Sequence, residues 1–261
     1  MFVEKLRQSI DETHGSLCVG LDPHLEQIPQ RFGRTADGVR KFLSWIIDET
    51  VEHACAYKPN SAFYEALGSP GWDLLGDVIE RVHKAGRPVI LDAKRGDISS
   101  TAAAYARAAF DVLDADAITL VAYMGEDAIV PFLEKGGFAF VLTSPSNASS
   151  RRIVEHGNPS VAECVAELAV ELEDRYPEQL GLVVGATHPE AVSALDTISQ
   201  HLPWLVPGLG AQGGQAKTFF AAAAHRERLM VVNASRSILF APDPKQAAAV
   251  MKSEIEEAQI G

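Results

Sequence analysis

The 261-residue sequence predicts an α/β fold, a single-domain (β/α)8 TIM barrel. Short, mostly apolar segments alternate with amphipathic segments along the whole chain, without a long linker or a low-complexity tract between them. Most of the short segments are apolar on both faces, as parallel strands are when helices cover both sides of their sheet. An open doubly wound sheet is the alternative, but eight strand–helix units in about 250 residues fit the barrel better.

Eight segments are predicted as strands because they are short, apolar and rich in β-branched residues. They are residues 17–21, 54–58, 88–92, 117–121, 138–142, 182–185, 205–207 and 230–233. Parallel strands require long crossover connections, which the segments between them are long enough to supply as helices.

The intervening segments are predicted as helices from apolar stripes at 3.6-residue spacing and from residues that begin or end helices. One helix is predicted to start with Ser69 as its N-cap and Pro70 at its first position, and to end at Gly86. Ser160 is predicted to cap Val161–Arg175. The other predicted helices are Phe2–Thr13, which precedes the first strand, and residues 37–51, 101–113, 127–135, 190–198, 215–225 and 245–257.

Charge and cysteine content exclude several classes of function. The formal net charge is −12, whereas a non-specific nucleic-acid binder needs a basic face, so we expect no nucleic-acid partner. Cys18, Cys55 and Cys164 form no CxxC pair, which favours reduced thiols in a cytoplasmic protein. The histidines show no HxH or HExxH pattern, so no metal site is predicted. No signal peptide is expected, because residues 1–7 already carry charges and no apolar h-region follows. No membrane span is expected either, since no apolar run reaches about 18 residues.

Polar residues gather where the predicted strands end. A barrel brings the carboxyl ends of its strands together at one mouth, and active sites lie there. We therefore predict one site that these residues form together. They are Asp22, Lys58-Pro59-Asn60, residues 92–97, Thr143-Ser144-Pro145-Ser146, residues 208–214 and Asn233-Ala234-Ser235-Arg236.

The segment after the third strand is the most informative of these. Residues two apart in a strand share a face, so Asp92 and Lys94 are predicted to point into the mouth together. Lys58 and Asp97 can extend them into a chain of alternating charges; a solvated ion pair is the alternative interpretation. An ammonium between carboxylates stays protonated, so Lys94 is predicted to act as a proton donor or a cation, not as an amine nucleophile.

The glycine-rich segment after the seventh strand, residues 208–214, predicts a phosphate site. Gly208-x-Gly210-x-x-Gly213 matches the dinucleotide fingerprint, but the next strand ends in Asn233 where that fingerprint requires an acid. Barrels often bind phosphate through backbone N–H groups after strands seven and eight, and Arg236 can add a bidentate clamp. The acidic net charge therefore does not exclude an anionic ligand, because the strand ends supply local positive charge.

Together these residues resemble the orotidine 5′-phosphate decarboxylase family. Leu91-Asp92-Ala93-Lys94-Arg95-Gly96-Asp97-Ile98, with Thr101 beyond it, is similar to the family signature DxKxxDIxxT, and a DAKRGDI core is typical of a bacterial subgroup. The resemblance continues in order through residues 20–23, 58–63, 184–187, 207–213 and 235–236, nearly the whole chain. The shorter DxKxxD motif is less specific, because related phosphosugar decarboxylases and aldolases share it.

The resemblance implies decarboxylation of orotidine 5′-monophosphate to UMP and CO2, the last step of de novo pyrimidine biosynthesis, without metal or cofactor. It implies that Lys94 protonates C6 of the pyrimidine and that Asp92 lies beside the departing carboxylate. Lys58 and Asp97 complete the charged tetrad, and Asp97 and Thr101 act across a homodimer interface. The residues implied to bind substrate are Asp22 and Lys58 at the ribose, Ser144 at the pyrimidine, Gln212 and Arg236 at the phosphate, and Asn60, Thr101, Pro207 and Gly210 beside them.

Two departures from the family pattern concern the pyrimidine contacts. Ala122 precedes Tyr123 where the family usually has a proline, and Ser144-Pro145-Ser146-Asn147 differs from the expected SNP-like run. Two other functions stay open from the residues alone. One is another phosphate-binding barrel enzyme, such as a phosphosugar decarboxylase or a Schiff-base aldolase, and the other is a non-catalytic nucleotide-binding barrel.

Overall fold

Parallel strands form the centre of the structure, a computed structural model that describes residues 1–186, 189–209, 213–225 and 228–260. The strands are β1 (Leu17–Gly20), β2 (Ala56–Lys58), β3 (Ile90–Arg95), β4 (Ala117–Leu120), β5 (Phe138–Ser144), β6 (Leu180–Val184), β7 (Trp204–Pro207) and β8 (Met230–Ala234). Hydrogen bonds join them in the order β2-β1-β8-β7-β6-β5-β4-β3. Parallel bridges from Tyr57 to Val89 and from Asn60 to Asp92 connect the two ends of this sheet, so the predicted (β/α)8 barrel is confirmed.

Helices connect the strands and cover the outside of the barrel. They are α1 (Phe2–Thr13), α2 (Ala36–Thr50), α3 (Ser61–Glu65), α4 (Ser69–Lys84), α5 (Ser99–Arg107), α6 (Val130–Leu133), α7 (Arg151–Val154), α8 (Val161–Arg175), α9 (Pro189–Ile198), α10 (Gly213–Ala222), α11 (Arg236–Leu239) and α12 (Pro244–Ile260). Within the described ranges, no helix combines the length and the apolarity that a membrane span requires.

The apolar core has two parts, one between the strands and the outer helices and one inside the barrel. Alternate strand residues such as Cys18, Phe140 and Leu205 fill the interior. Helix α1 closes the amino end of the barrel, because its Phe2 and Leu6 join this inner cluster. The interior is therefore packed with apolar side chains up to the carboxyl ends of the strands, where the polar residues lie.

Two helix starts show how far capping residues can be predicted. Ser160 caps α8 as expected: its hydroxyl accepts from the Glu163 N–H, and the Glu163 carboxylate accepts from the Ser160 N–H. The prediction of Ser69 as a cap is wrong, since Gly68 occupies that position with φ 71° and Pro70 follows in the first turn. The chain enters α4 almost directly from α3, through a left-handed conformation that glycine adopts without strain.

Two predicted helices are less regular than expected. The helix predicted at 101–113 begins at Ser99 and changes to a π-helix over Ala108–Val112. The helix predicted at 127–135 is divided into a 3-10 turn, Gly125–Ala128, and the short α6. Pro131 lies in the first turn of α6, where its missing N–H prevents one continuous helix from Asp127. The short helices α3, α7 and α11 are absent from the prediction, because four or five residues carry no apolar stripe.

Strand β3 differs most from the prediction, and the difference concerns the site. It spans Ile90–Arg95, whereas the sequence predicts 88–92. Lys94 has φ 47°, and the register of β3 against β4 shifts between Leu91 and Arg95. The additional residues form an irregular strand end, which hydrophobic alternation does not reveal.

Candidate active site

Three charged side chains meet where β2 and β3 end. The Lys58 ammonium donates to Asp92 Oδ2 over 2.6 Å, and the Lys94 ammonium donates to Asp92 Oδ1 over 2.5 Å. Lys58 and Asp92 are buried, whereas the Lys94 side chain is 45% exposed. The structure thus brings together three of the four residues of the predicted chain of charges, with Lys94 at the solvent side.

A threonine of β4 completes this arrangement. The Thr119 hydroxyl donates to Asp92 Oδ1 over 2.9 Å, and it accepts from the Lys94 backbone N–H over 3.0 Å. Sequence reasoning missed Thr119. Its signal is a single polar residue within the otherwise apolar β4, at an interior position of the barrel.

The charges of this cluster stabilise one another. Burial acts to raise the pKa of the Asp92 carboxyl, but the charges and hydrogen bonds of Lys58 and Lys94 outweigh it, so that pKa lies well below its usual range. Burial also acts to lower the pKa of Lys58. The nearby carboxylates of Asp92 and Asp22 have the larger effect, so the pKa of Lys58 is raised. Both members of the buried pair are therefore ionised at neutral pH.

A cavity of about 280 Å³ lies directly above the charged cluster, at the barrel mouth. Its polar side consists of Lys58, Asp92, Lys94 and Thr119. The opposite side is mostly apolar and is formed by Leu142, Pro145, Ser146, Asn147, Val183, Leu205 and Pro207. A cavity with one charged wall and one apolar wall suits a small ligand that combines a flat apolar face with polar groups.

The loop after β5 lies across the mouth because two glycines allow its approach. A Cβ atom on Gly185 would lie 2.7 Å from the Ser146 backbone nitrogen. On Gly208, which has φ 92°, it would lie 3.1 Å from Ser146 Cβ. A larger residue at Gly185 would therefore collide with this loop, and one at Gly208 would be crowded and strained.

Ser144, expected to contact the ligand, lies against a different cleft. The register of β5 against β6 shifts between Leu142 and Ser144. Ser144 then lines a cleft of about 520 Å³ with residues of α7, α8 and α9, including Arg151 and Glu190. The residues of this segment that line the cavity at the mouth are Leu142 and those of the following loop, including Ser146.

Buried polar atoms without partners lie at the ends of β1 and β8. Asp22 Oδ1, Asn233 Oδ1 and Ser235 Oγ are buried and accept or donate no hydrogen bond within the described part of the chain. Asp22 and Ser235 are close neighbours, since a Cβ atom on Gly20 would lie within 3.3 Å of Asp22 Oδ2 and 3.0 Å of Ser235 Oγ. Because buried polar atoms are almost always paired, these atoms mark a place for the hydroxyl or amide groups of a ligand.

The remaining predicted residues occupy varied positions. Asn60 caps α3, with its Oδ1 accepting from the Ala62 N–H over 3.2 Å. Pro207 lines the cavity, and the exposed Arg236 begins α11 directly after β8. Gly210 and Gln212 lie outside the described residues.

Asp97 is the predicted tetrad member that the structure does not join to the others. Its carboxylate accepts from the Ile98 N–H over 2.8 Å, and among the described residues it forms no ion pair with Lys94. Thr101 lies exposed in the first turns of α5. Four exposed apolar side chains lie on α5, at its start and after β4, and we call them the α5 patch: Ile98, Tyr105, Tyr123 and Met124.

Fold and site define a class of protein: a (β/α)8-barrel enzyme with a lysine–aspartate–lysine cluster at its mouth. Residues 15–251 match the model of the orotidine 5′-phosphate decarboxylase / HUMPS family, and the chain belongs to this family.

Relatives and solved structures agree with this membership. The orotidine 5′-phosphate decarboxylase of Herpetosiphon aurantiacus is 44% identical over 246 residues, which cover 92% of this chain and 90% of the relative. The enzyme of the same name from Roseiflexus sp. strain RS-1 is 44% identical over 245 residues, 91% and 88% of the two chains. The structure of the Leishmania donovani OMP decarboxylase superposes with a TM-score of 0.86 at 38% identity, covering 100% of this chain and 99% of the other.

Proposed function

We propose that this enzyme decarboxylates orotidine 5′-monophosphate to UMP and CO2 in pyrimidine biosynthesis, and that it uses neither a metal nor an organic cofactor. The relatives carry the name of this activity. The observation that carries the proposal within this chain is the Lys94 ammonium, which is half exposed at the cavity and hydrogen-bonded to an ionised carboxylate.

The charged cluster suits the chemistry of this reaction. Loss of CO2 leaves an electron pair on C6 of the pyrimidine, which the Lys94 ammonium stabilises and then protonates. The Asp92 carboxylate repels the substrate carboxylate in the ground state, and the repulsion ends when neutral CO2 departs. Asp92 remains ionised throughout, because Lys58 compensates its charge from the buried side.

The rest of the substrate extends from the cavity along the strand ends. The pyrimidine lies against the apolar wall, with its polar edge at the loop after β5, whose Ser146 and Asn147 line the cavity in place of the expected Ser144. Asp22, Lys58 and Asn60 bind the ribose hydroxyls, a role that the orphaned Asp22 oxygen supports. The phosphate lies beyond Pro207, and the residues proposed to bind it are Gly210, Gln212 and Arg236, through backbone N–H groups and a bidentate guanidinium.

We also propose that the enzyme acts as a homodimer, in which Asp97 and Thr101 of each copy reach the site of the other. Two observations support this. Among the described residues Asp97 forms no ion pair with Lys94, and the α5 patch, whose Ile98 follows Asp97 in the chain, exposes apolar side chains, including Tyr123, which is 86% exposed. Exposed apolar surface is a feature of interfaces between proteins.

The decisive experiment follows the ultraviolet absorbance of orotidine 5′-monophosphate with purified protein and an added chelator. We expect the wild type to convert it to UMP and Lys94→Ala to abolish conversion, while calorimetry shows that Lys94→Ala still binds UMP. Lys135→Ala is the matched control, since Lys135 pairs with Asp111 at the surface.

Each other result contradicts a part of the proposal. No conversion by the wild type would exclude the activity, and near-normal conversion by Lys94→Ala would remove Lys94 from the mechanism. Chelator inhibition that a metal reverses would exclude the metal-free reaction. Borohydride trapping of substrate on Lys58 or Lys94 would indicate a Schiff-base aldolase, a chemistry disfavoured by the raised pKa of Lys58.

A further inference from the structure

We propose that Thr119 is a positioning residue, which holds Lys94 and Asp92 in the arrangement that the reaction requires. The inference rests on the proposed function, because it assigns Thr119 a task in that same site. Its basis is one hydroxyl that contacts both residues at once: it donates to the Asp92 carboxylate and accepts from the Lys94 backbone N–H.

The backbone at Lys94 explains why this hydroxyl is needed. Lys94 adopts a left-handed conformation, with φ 47°, that residues other than glycine seldom adopt. The register shift between Leu91 and Arg95 interrupts the ladder between β3 and β4 at this position. Thr119 replaces the interrupted ladder with a side-chain acceptor for the Lys94 N–H, and so keeps the bulged strand end beside β4.

The same hydroxyl also orients the carboxylate. Asp92 Oδ1 accepts from both the Lys94 ammonium and Thr119, whereas Oδ2 accepts from Lys58. Three donors therefore fix the plane of this carboxylate. Thr119 is 1% exposed, so its hydroxyl is shielded from bulk solvent. A hydroxyl can donate and accept together, which neither valine nor alanine can do.

The test compares Thr119→Val, Thr119→Ser and a matched control in the full-length protein. Thr119→Val keeps the shape and removes both hydrogen bonds, whereas Thr119→Ser keeps the hydroxyl. The control is Thr13→Val, because Thr13 is similarly buried in α1, at the opposite end of the barrel, and its hydroxyl donates to the Ser9 carbonyl of its own helix. Melting temperatures of all variants report whether each one folds.

We expect Thr119→Val to lower kcat for orotidine 5′-monophosphate by about 10- to 100-fold, with KM changed by no more than about twofold, because misplacement of reacting groups affects the chemical step. Thr119→Ser should recover kcat to within about threefold of the wild type, and Thr13→Val should keep the wild-type kcat. The proposal would be overturned if Thr119→Val kept the kcat of the wild type, or if Thr119→Ser lost as much kcat as Thr119→Val.

A second measurement needs no substrate. Hydrogen exchange of the Lys94 amide should be faster by about tenfold in Thr119→Val and unchanged in Thr119→Ser, because the acceptor of this N–H is lost only in the first variant. Unchanged exchange in Thr119→Val would overturn the proposal. Absence of wild-type turnover would instead overturn the proposed function alone, since the amide measurement tests the contact between Thr119 and Lys94 independently.

Discussion

The Lys58 ammonium and the Asp92 carboxylate form an ion pair of 2.6 Å, in which the two side chains are only 6% and 9% exposed. Removal of one partner from a buried pair leaves the other charge without compensation, which is strongly unfavourable. The pair therefore anchors the site: it keeps Asp92 ionised from the inside of the barrel, while Lys94 contacts the same carboxylate from the side of the cavity.

Replacement of Lys58 by methionine should destabilise the fold as well as the site. We expect Lys58→Met to lower the free energy of unfolding by about 3 kcal/mol, because Asp92 then stays buried with only the half-exposed Lys94 as a partner. Urea unfolding measures this change. As a control, Lys135→Met removes the exposed partner of Asp111, and it should lower the free energy of unfolding by less than about 1 kcal/mol. An equal decrease in the two variants would contradict the prediction.

Stability should depend on pH through His83, which contacts Asp116 near the amino end of the barrel over 2.8 Å. The hydrogen bond to Asp116 raises the pKa of His83, and burial opposes it more weakly. Because the folded-state pKa exceeds the ordinary value of about 6.5, protonated His83 stabilises the fold below about pH 6.5, and this contribution is lost as pH rises through the raised pKa.

The free energy of unfolding should therefore differ most between wild type and His83→Gln near about pH 6, and the difference should shrink towards about pH 8.5. Urea titrations at several pH values measure it. A difference between wild type and His83→Gln that is constant over this pH range would contradict the assignment.

The proposed phosphate clamp predicts a selective loss of binding in Arg236→Met. Because the substitution removes charge-assisted hydrogen bonds to the phosphate, KM for orotidine 5′-monophosphate should rise by about 10- to 100-fold. Turnover of orotidine, which lacks the phosphate, should be unchanged by the substitution. Arg7→Met, an exposed arginine of α1 at the opposite end of the barrel, is the control; an equal loss with orotidine would exclude a phosphate contact.

Subunit mixing tests whether Asp97 acts across the proposed dimer. Lys94→Ala and Asp97→Ala should each be inactive, and their mixture after subunit exchange should recover about a quarter of wild-type activity, because each mixed dimer has one intact site. A mixture of Lys94→Ala and Asp92→Ala should recover none, since both residues belong to the same chain's part of the site. Recovery in neither mixture would place Asp97 within a single chain's site or outside the site altogether.

The sequence alone was sufficient to predict the barrel, and it predicts that the proposed site lies at the carboxyl ends of the strands. Apolar segments alternating with amphipathic ones, and polar residues after most of the strands, are local patterns that survive in any packing. They predicted the closed (β/α)8 architecture, and the resemblance carried by Asp92, Lys94 and Asp97 predicted the family to which the chain belongs.

The tertiary structure alone decided how the site residues meet. The bulge that turns Lys94 towards Asp92 and recruits Thr119 depends on the register between β3 and β4. A second register shift directs Ser144 to an outer cleft, and the loop with Ser146 approaches the mouth. Register depends on hydrogen bonds and packing between strands distant in sequence, whereas alternation along one strand reports only which of its residues share a face.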